Sequence, residues 1–253
     1  LIGENGAGKS TVIKCMLGLI RRDGGSIRLL GEDNLAGGSA LREELGVVLD
    51  ESTFHDGLKA PQVDKILSNI YRKWDSALFE SYLERFNLPR DKTFREYSRG
   101  RKMKLCIAAA LSHRPRLLIL DEATSGLDPV VRSEILDEFL NFIQDEEHAV
   151  LISSHITSDL EKVSDFVTYL HEGRVTLTGA KDELLEEHGR LACTRSDLDR
   201  VAADFVVSTR ISQFSCEALI RNKREFRARY PGLTVDPVSL EDLMLFTARG
   251  EKR

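Results

Sequence analysis

Residues 3–10, Gly3-Glu4-Asn5-Gly6-Ala7-Gly8-Lys9-Ser10, crowd three glycines, a lysine and a hydroxyl into one short run. That spacing suits a loop folded around phosphate. Glycines let backbone N–H groups turn inward toward an anion, and a helix opening near Lys9 adds the positive end of its dipole. Lys9 can reach terminal phosphates, and the Ser10 hydroxyl can take part in binding Mg²⁺. With Thr11 the candidate phosphate-binding set is Gly3, Glu4, Asn5, Gly6, Ala7, Gly8, Lys9, Ser10 and Thr11. A second chemical centre stands at the end of Leu117-Leu118-Ile119-Leu120, where an apolar run closes on Asp121 and Glu122. An acid leaving a buried strand beside phosphates can hold Mg²⁺ through water, and the next acid can polarise an attacking water. By itself the run is also an ordinary core strand entering a polar loop; the phosphate loop favours the chemical reading.

These groups need elements to carry them. Residues 1–2 read as a strand end, so the strand that should precede the loop is expected to lie upstream, and the chain to be a fragment. Residues 9–20 read as a helix, with Val12, Ile13, Met16, Leu17 and Ile20 at helical spacing and a stop at Asp23-Gly24-Gly25. Strands are expected at 26–30, 45–49, 117–120 and 150–153, and a helix at 130–144. Alternation of this kind implies a parallel sheet. Between them, 61–113 reads as helical, with Lys102–Leu111 as its last helix. A hairpin is expected at 167–170 and 175–177, a short helix at 181–188, a strand at 205–208, and helices at 220–229 and 240–246.

The net charge of −5 weighs against a protein whose main task is holding nucleic acid. No apolar run approaches the ~20 residues of a membrane-spanning helix. Cys15, Cys106, Cys193 and Cys216 form no CxxC pair, so a zinc site is not expected; Cys15 and Cys106, in apolar helical patterns, read as small buried hydrophobes, and a reducing cytosol fits.

Kinases, GTPases, helicases and transporters all use the phosphate loop. The narrowing comes from the rest of the chain. Asp121-Glu122-Ala123-Thr124-Ser125-Gly126-Leu127-Asp128-Pro129 resembles the Walker B and D-loop run of ATP-binding cassettes. Ahead of it, Tyr97-Ser98-Arg99-Gly100-Arg101 is similar to the cassette signature usually written LSGGQ, and after it Ser153-Ser154-His155 resembles the switch histidine. Order and spacing agree from Gly3 to about Gly179. The tail is similar, more loosely, to those of single-cassette bacterial subunits serving separately encoded permeases.

The resemblance implies an α/β fold: a phosphate-loop NTPase cassette with a parallel core sheet, β-hairpin elements and a helical subdomain at about 61–113. The cassette is expected over 1–180 and a small α+β extension over 181–253. It implies ATP and Mg²⁺ as ligands, with Glu122 and His155 catalytic. Ser98, Arg99 and Gly100 would face the ATP of a partner cassette paired head to tail, identical or paralogous, and Asp128 would communicate across that dimer. Mg²⁺ would be held by Ser10, Asp121 and, as an additional contact, Asp50. Asp50 stands where the family usually has Gln, and Arg99 and Arg101 replace a Gly and a Gln of the signature. Bland readings stand beside these: Ser98 as a helix N-cap, His155 as an ordinary strand-end residue, and Arg95, Arg99, Arg101, Lys102 and Lys104 as a solvated face. Arg221, Lys223, Arg224, Arg227 and Arg229 likewise read as a solvated helix face. The implied function is the ATPase subunit of a transporter, peripheral at the cytoplasmic face of the membrane, driving a permease contacted through residues 50–61 and the helical insert, and acting as an exporter. The alternatives are a non-transport cassette ATPase and an ATP-sensing regulatory cassette.

Overall fold

A phosphate loop works only if a strand feeds it and a helix leaves it. The computed structural model describes residues 1–50, 54–212 and 216–250. The chain divides into two compact units, one of Lys9–Ser154 and one of Leu1–Gly8 with His155–Arg253.

The first unit opens with helix α1 (Lys9–Met16) and a two-stranded hairpin, β1 (Arg28–Leu29) and β2 (Glu32–Asp33), turned at Gly31 with φ 87°. Then come α2 (Gly38–Glu43), β3 (Leu45–Val48), α3 (Ala60–Leu67), α4 (Ser76–Arg85), α5 (Arg99–Leu111), β4 (Leu117–Asp121), α6 (Pro129–Phe142) and β5 (Ala149–Ser153). Strands β3, β4 and β5 form a parallel sheet in that order, with Val48 opposite Leu120 and Asp121 opposite Ser153. The central strand carries the most continuous apolar run, as burial on both faces requires; Leu118, Ile119 and Leu120 are buried. Ile13, Leu29, Leu41, Leu45 and Ile119 form one core cluster. Helix α5 approaches β3 so closely that a Cβ on Gly46 would lie 2.8 Å from the Ala110 carbonyl oxygen.

Helix starts are capped by short polar side chains. Asp75 accepts from the Leu78 N–H (2.9 Å) and Asp128 from the Val131 N–H (3.0 Å). The expected helix at 9–20 ends four residues early. Gly18, at φ 68°, breaks it, and Asn34 closes it: its Nδ2 donates to the Cys15 and Met16 carbonyls at 2.8 and 3.0 Å. The apolar spacing expected to run to Ile70 stops being helical after Leu67, and Ile66 and Ile70 are exposed.

In the second unit Ile2 bridges to Tyr169 in parallel, its N–H donating to Thr168 O and its carbonyl accepting from Leu170 N, both at 2.8 Å. Next come α7 (Thr157–Val163) and an antiparallel hairpin of β6 (Phe166–His171) and β7 (Arg174–Ala180). Its turn puts Glu172 and Gly173 at φ 47° and 75°, the left-handed pair that matches strand twist. Then follow α8 (Lys181–Glu187), β8 (Gly189–Ala192), α9 (Arg195–Arg200), β9 (Val206–Ile211), β10 (Cys216–Ile220), α10 (Lys223–Arg229), β11 (Val235–Asp236) and α11 (Leu240–Arg249). The last four strands make an antiparallel sheet in the order β11-β8-β10-β9.

The helix expected at 220–229 is corrected here. Ile220 ends a strand, Asn222 turns at φ 51°, and only then does α10 begin. Nor are that helix's basic residues only a solvated face. Lys223 Nζ donates to Leu185 O (3.1 Å), Arg227 to Val235 O (2.7 Å), and the Arg229 guanidinium lies over the Phe205 ring.

Phe226 is fully buried, edge-on to Phe205 with ring centroids 5.6 Å apart and 4.9 Å from Tyr230. Phe226→Ala is expected to lower the unfolding free energy by about 3–5 kcal/mol, read by denaturant titration. His113 is buried, stacked 4.0 Å from Tyr71, with Nε2 3.0 Å from Leu45 O. Burial pushes its pKa below the ordinary value. The unfolded chain therefore takes up the proton first. The stabilisation is complete above about pH 6.5 and is lost as pH falls through that value toward the folded pKa. Unfolding at pH 7.5 and 5.5 should show the loss, and His113→Gln should flatten it; an unchanged slope would assign the pH dependence to other groups.

Candidate functional site

The site's first half grows out of the end of β4. Asp121 is its last residue, 2% exposed, and accepts a hydrogen bond from Ser153 Oγ on neighbouring β5. Glu122 follows at φ 53°, a left-handed conformation unusual for a residue with a Cβ. Its N–H donates to Ser153 O (3.1 Å) and Ser153 Oγ (3.2 Å), and the turn closes with Ser125 N donating to Glu122 O (3.0 Å). Backbone of this kind costs about 1–3 kcal/mol and persists where its surroundings over-determine it. Here it aims the carboxylate at α1: Glu122 Oε1 lies 3.0 Å from Lys9 Nζ, with the two side chains 12% and 5% exposed. Lys9 is the first residue of α1, Ser10 beside it is half-buried, and Thr11 is exposed.

The rest of the phosphate loop belongs to the second unit. A Cβ at Gly3 would lie 2.5 Å from the Leu170 carbonyl oxygen, so only glycine fits there. Gly6 and Gly8 stand at φ 83° and 105°, which glycine adopts without strain. Ala7 N donates to Glu4 O (3.2 Å) and Gly173 N to Ala7 O (3.0 Å). The Glu4 carboxylate lies 3.0 Å from His171 Nδ1, and Asn5 is exposed. His155 lies in the bend between β5 and α7.

Ser98 caps α5, its Oγ accepting from the Arg101 N–H at 3.4 Å. Gly100 is held by its own fold: a Cβ there would sit 3.1 Å from Val131 Cγ1. Asp128 caps α6 and Pro129 opens it. Of the basic run around the signature, Lys104 is buried and paired with Glu134. Lys102 Nζ lies over the Phe94 ring, 4.9 Å from its centroid. Asp50, just beyond β3, forms an ion pair with Arg99, Oδ1 to Nη2 3.3 Å.

Two features escaped the sequence reading. Ser153 was counted only as part of the switch triplet, yet it bonds both strand-end acids; its register opposite Asp121 was the available signal. The other is the approach of Arg99 to Gly126, where a Cβ would lie 2.9 Å from Nη1; nothing in the linear sequence announces it. Among the described residues no cluster of three or more His, Cys, Asp or Glu could hold a metal ion. Of the residues expected to hold Mg²⁺, Ser10 offers a hydroxyl and Asp121 a carboxylate, both hard-oxygen donors. That set fits Mg²⁺, which keeps waters and uses substrate phosphates as ligands.

The family model described as ABC transporter matches residues 1–125. The chain is 35% identical over 177 residues to the bacitracin transport ATP-binding protein BcrA of Enterococcus faecalis, covering 69% of this chain. It spans 58% of that relative's length. It is also 35% identical over 191 residues to the lantibiotic transport ATP-binding protein SrtF of Streptococcus pyogenes, covering 74% of this chain and 81% of SrtF. Among solved structures, an ATP-binding subunit of an ABC transporter superposes with a TM-score of 0.63 at 28% identity, covering 73% of this chain and 79% of that one. The matched stretch contains the phosphate loop, Asp50, the signature and both strand-end acids, and with so large a share of SrtF spanned at that identity, the chain belongs to the ABC transporter family.

Proposed function

We propose that this chain is the ATP-binding and ATP-hydrolysing subunit of an ABC transporter and powers a separately encoded membrane permease. The observation that carries the reading is the meeting of Lys9 and Glu122, 3.0 Å apart and mostly withdrawn from water, with Asp121 fixed beside them by Ser153. A buried lysine at the start of a helix is suited to a phosphate. A carboxylate forced into place by a left-handed turn is suited to orienting a water. In this reading the backbone of residues 3–8, with Lys9, Ser10 and Thr11, binds the ATP phosphates. Glu122 accepts a proton from the attacking water and His155 orients the γ-phosphate end. Ser10 and Asp121 would hold Mg²⁺, which, when bound, offsets negative charge on the phosphate oxygens. Asp50, with its carboxylate on Arg99, is the weaker candidate for a further metal contact.

A second cassette, identical or paralogous, would present Ser98, Arg99 and Gly100 to this ATP, with Asp128 communicating between the copies. The relatives named for bacitracin and lantibiotic transport support a transport role; a permease partner and export as the direction are part of this proposal. No helix among the described residues is long and apolar enough to cross a membrane. That accords with peripheral attachment at the cytoplasmic face, the spans being supplied by the permease. In this reading the permease would dock at residues 50–61, of which 51–53 lie outside the described residues, and on the helical insert, where the exposed Ile66 and Ile70 offer apolar surface. A regulatory, ATP-sensing cassette is the second reading, favoured by the Asp50–Arg99 pair at two positions that depart from the family pattern.

Glu122→Gln in the intact protein should cut kcat for ATP about 10²–10⁴-fold while ATP still binds. Unchanged turnover would remove Glu122 as the base, and a wild type that binds ATP without turning it over would favour the sensing role. Tagged intact protein should co-purify from solubilised membranes with a polytopic membrane protein; recovery without one would count against the transporter role.

A further inference from the structure

Arg99 touches more of the site than a lone surface cation would. It begins α5, yet its guanidinium pairs with Asp50, two residues beyond the end of β3, and lies across Gly126 in the turn after β4. A Cβ on Gly126 would meet Nη1 at 2.9 Å and Cζ at 3.1 Å, and the φ of 67° there is one that glycine adopts freely. The turn beneath the guanidinium is the one that Glu122 opens, closed by Ser125 N to Glu122 O (3.0 Å) and Leu127 N to Thr124 O (3.4 Å). One side chain therefore joins the ends of two neighbouring parallel strands to the first residue of the signature helix. The aspartate that replaces the expected glutamine is the group that holds it.

We propose that Arg99 is a positioning residue for the 122–127 turn, held over Gly126 by Asp50, and that the two non-consensus residues work as one unit. Both side chains are a little more than half exposed, so the pair is modest in strength and sensitive to salt. Its role in turnover rests on the ATPase reading above; its role in ordering the turn does not.

The test is a double-mutant cycle of wild type, Asp50→Asn, Arg99→Gly and Asp50→Asn/Arg99→Gly in the intact protein, read two ways. Hydrogen–deuterium exchange of the peptide containing residues 122–127 should quicken about two- to fivefold in either single variant, the factor an exposed ion pair is worth. It should quicken no further in the double variant. Raising the salt should move the wild type toward the variants and leave Arg99→Gly unchanged. Arg99→Lys, which keeps the charge, should restore part of the protection. In the second measurement kcat for ATP should fall by a similar factor. Additive effects on exchange, or exchange that Arg99→Gly does not alter, would overturn the proposal. Coupled exchange in a protein without turnover would uphold the positioning role and count instead against the ATPase reading.

Discussion

A charge taken almost out of water has to find a partner, and the Lys9–Glu122 pair is where this molecule meets that requirement. Lys9 can be buried because α1 starts beside the sheet; Glu122 can reach it because the backbone turns left-handed at the end of β4. The turn is tolerable because Ser153 receives the Glu122 N–H and donates to Asp121. Ser153 is there because β5 runs parallel to β4 in a register that sets it opposite Asp121. Under the proposed function, an incoming phosphate would meet a lysine already paired, and its binding would exchange one anion for another at Lys9.

Much of the frame could be read from the sequence, because the strands that carry the acids are short, apolar and sharply bounded. The runs at 45–49, 117–120 and 150–153 each became a strand of one parallel sheet within a residue or so. The misreadings have physical causes. Residues 17–20 kept the apolar spacing of a helix, but Gly18 takes a conformation that ends it, and the carbonyls left over are satisfied by Asn34. No local pattern displays a cap drawn from so far along the chain. Ile220 was assigned to a helix because the charged residues after it are helical; the break at Asn222 needed a positive φ that the sequence alone does not declare. Strand β8 and helix α9 were missed because each is brief and depends on partners distant in sequence.

The site shows the same division. Lys9, Asp121 and Glu122 stand out in the sequence because their proposed chemistry is tied to local context, a glycine-rich loop, a helix start and a strand end, and the structure pairs Lys9 with Glu122. The Asp50–Arg99 pairing does not, although both residues are visible as departures. In sequence each is a separate departure from the family pattern; in three dimensions the two departures meet. Gly100, the signature glycine that did not change, is packed against Val131, so the fold itself restricts that residue whatever approaches from outside.

Asn34 has a further consequence, for motion. A helix as short as α1 does not persist by its own hydrogen bonds; it lasts as long as the contacts that hold its ends. Its C-terminal carbonyls are held by a side chain at the foot of the β1–β2 hairpin, whose own N–H donates to Ile27 O at 3.1 Å. Brief opening of that hairpin would fray the helix from its far end toward Lys9 while the central sheet stayed intact. The lifetime of the buried lysine's position is therefore set by a small surface ribbon, and the two should fluctuate on a shared timescale.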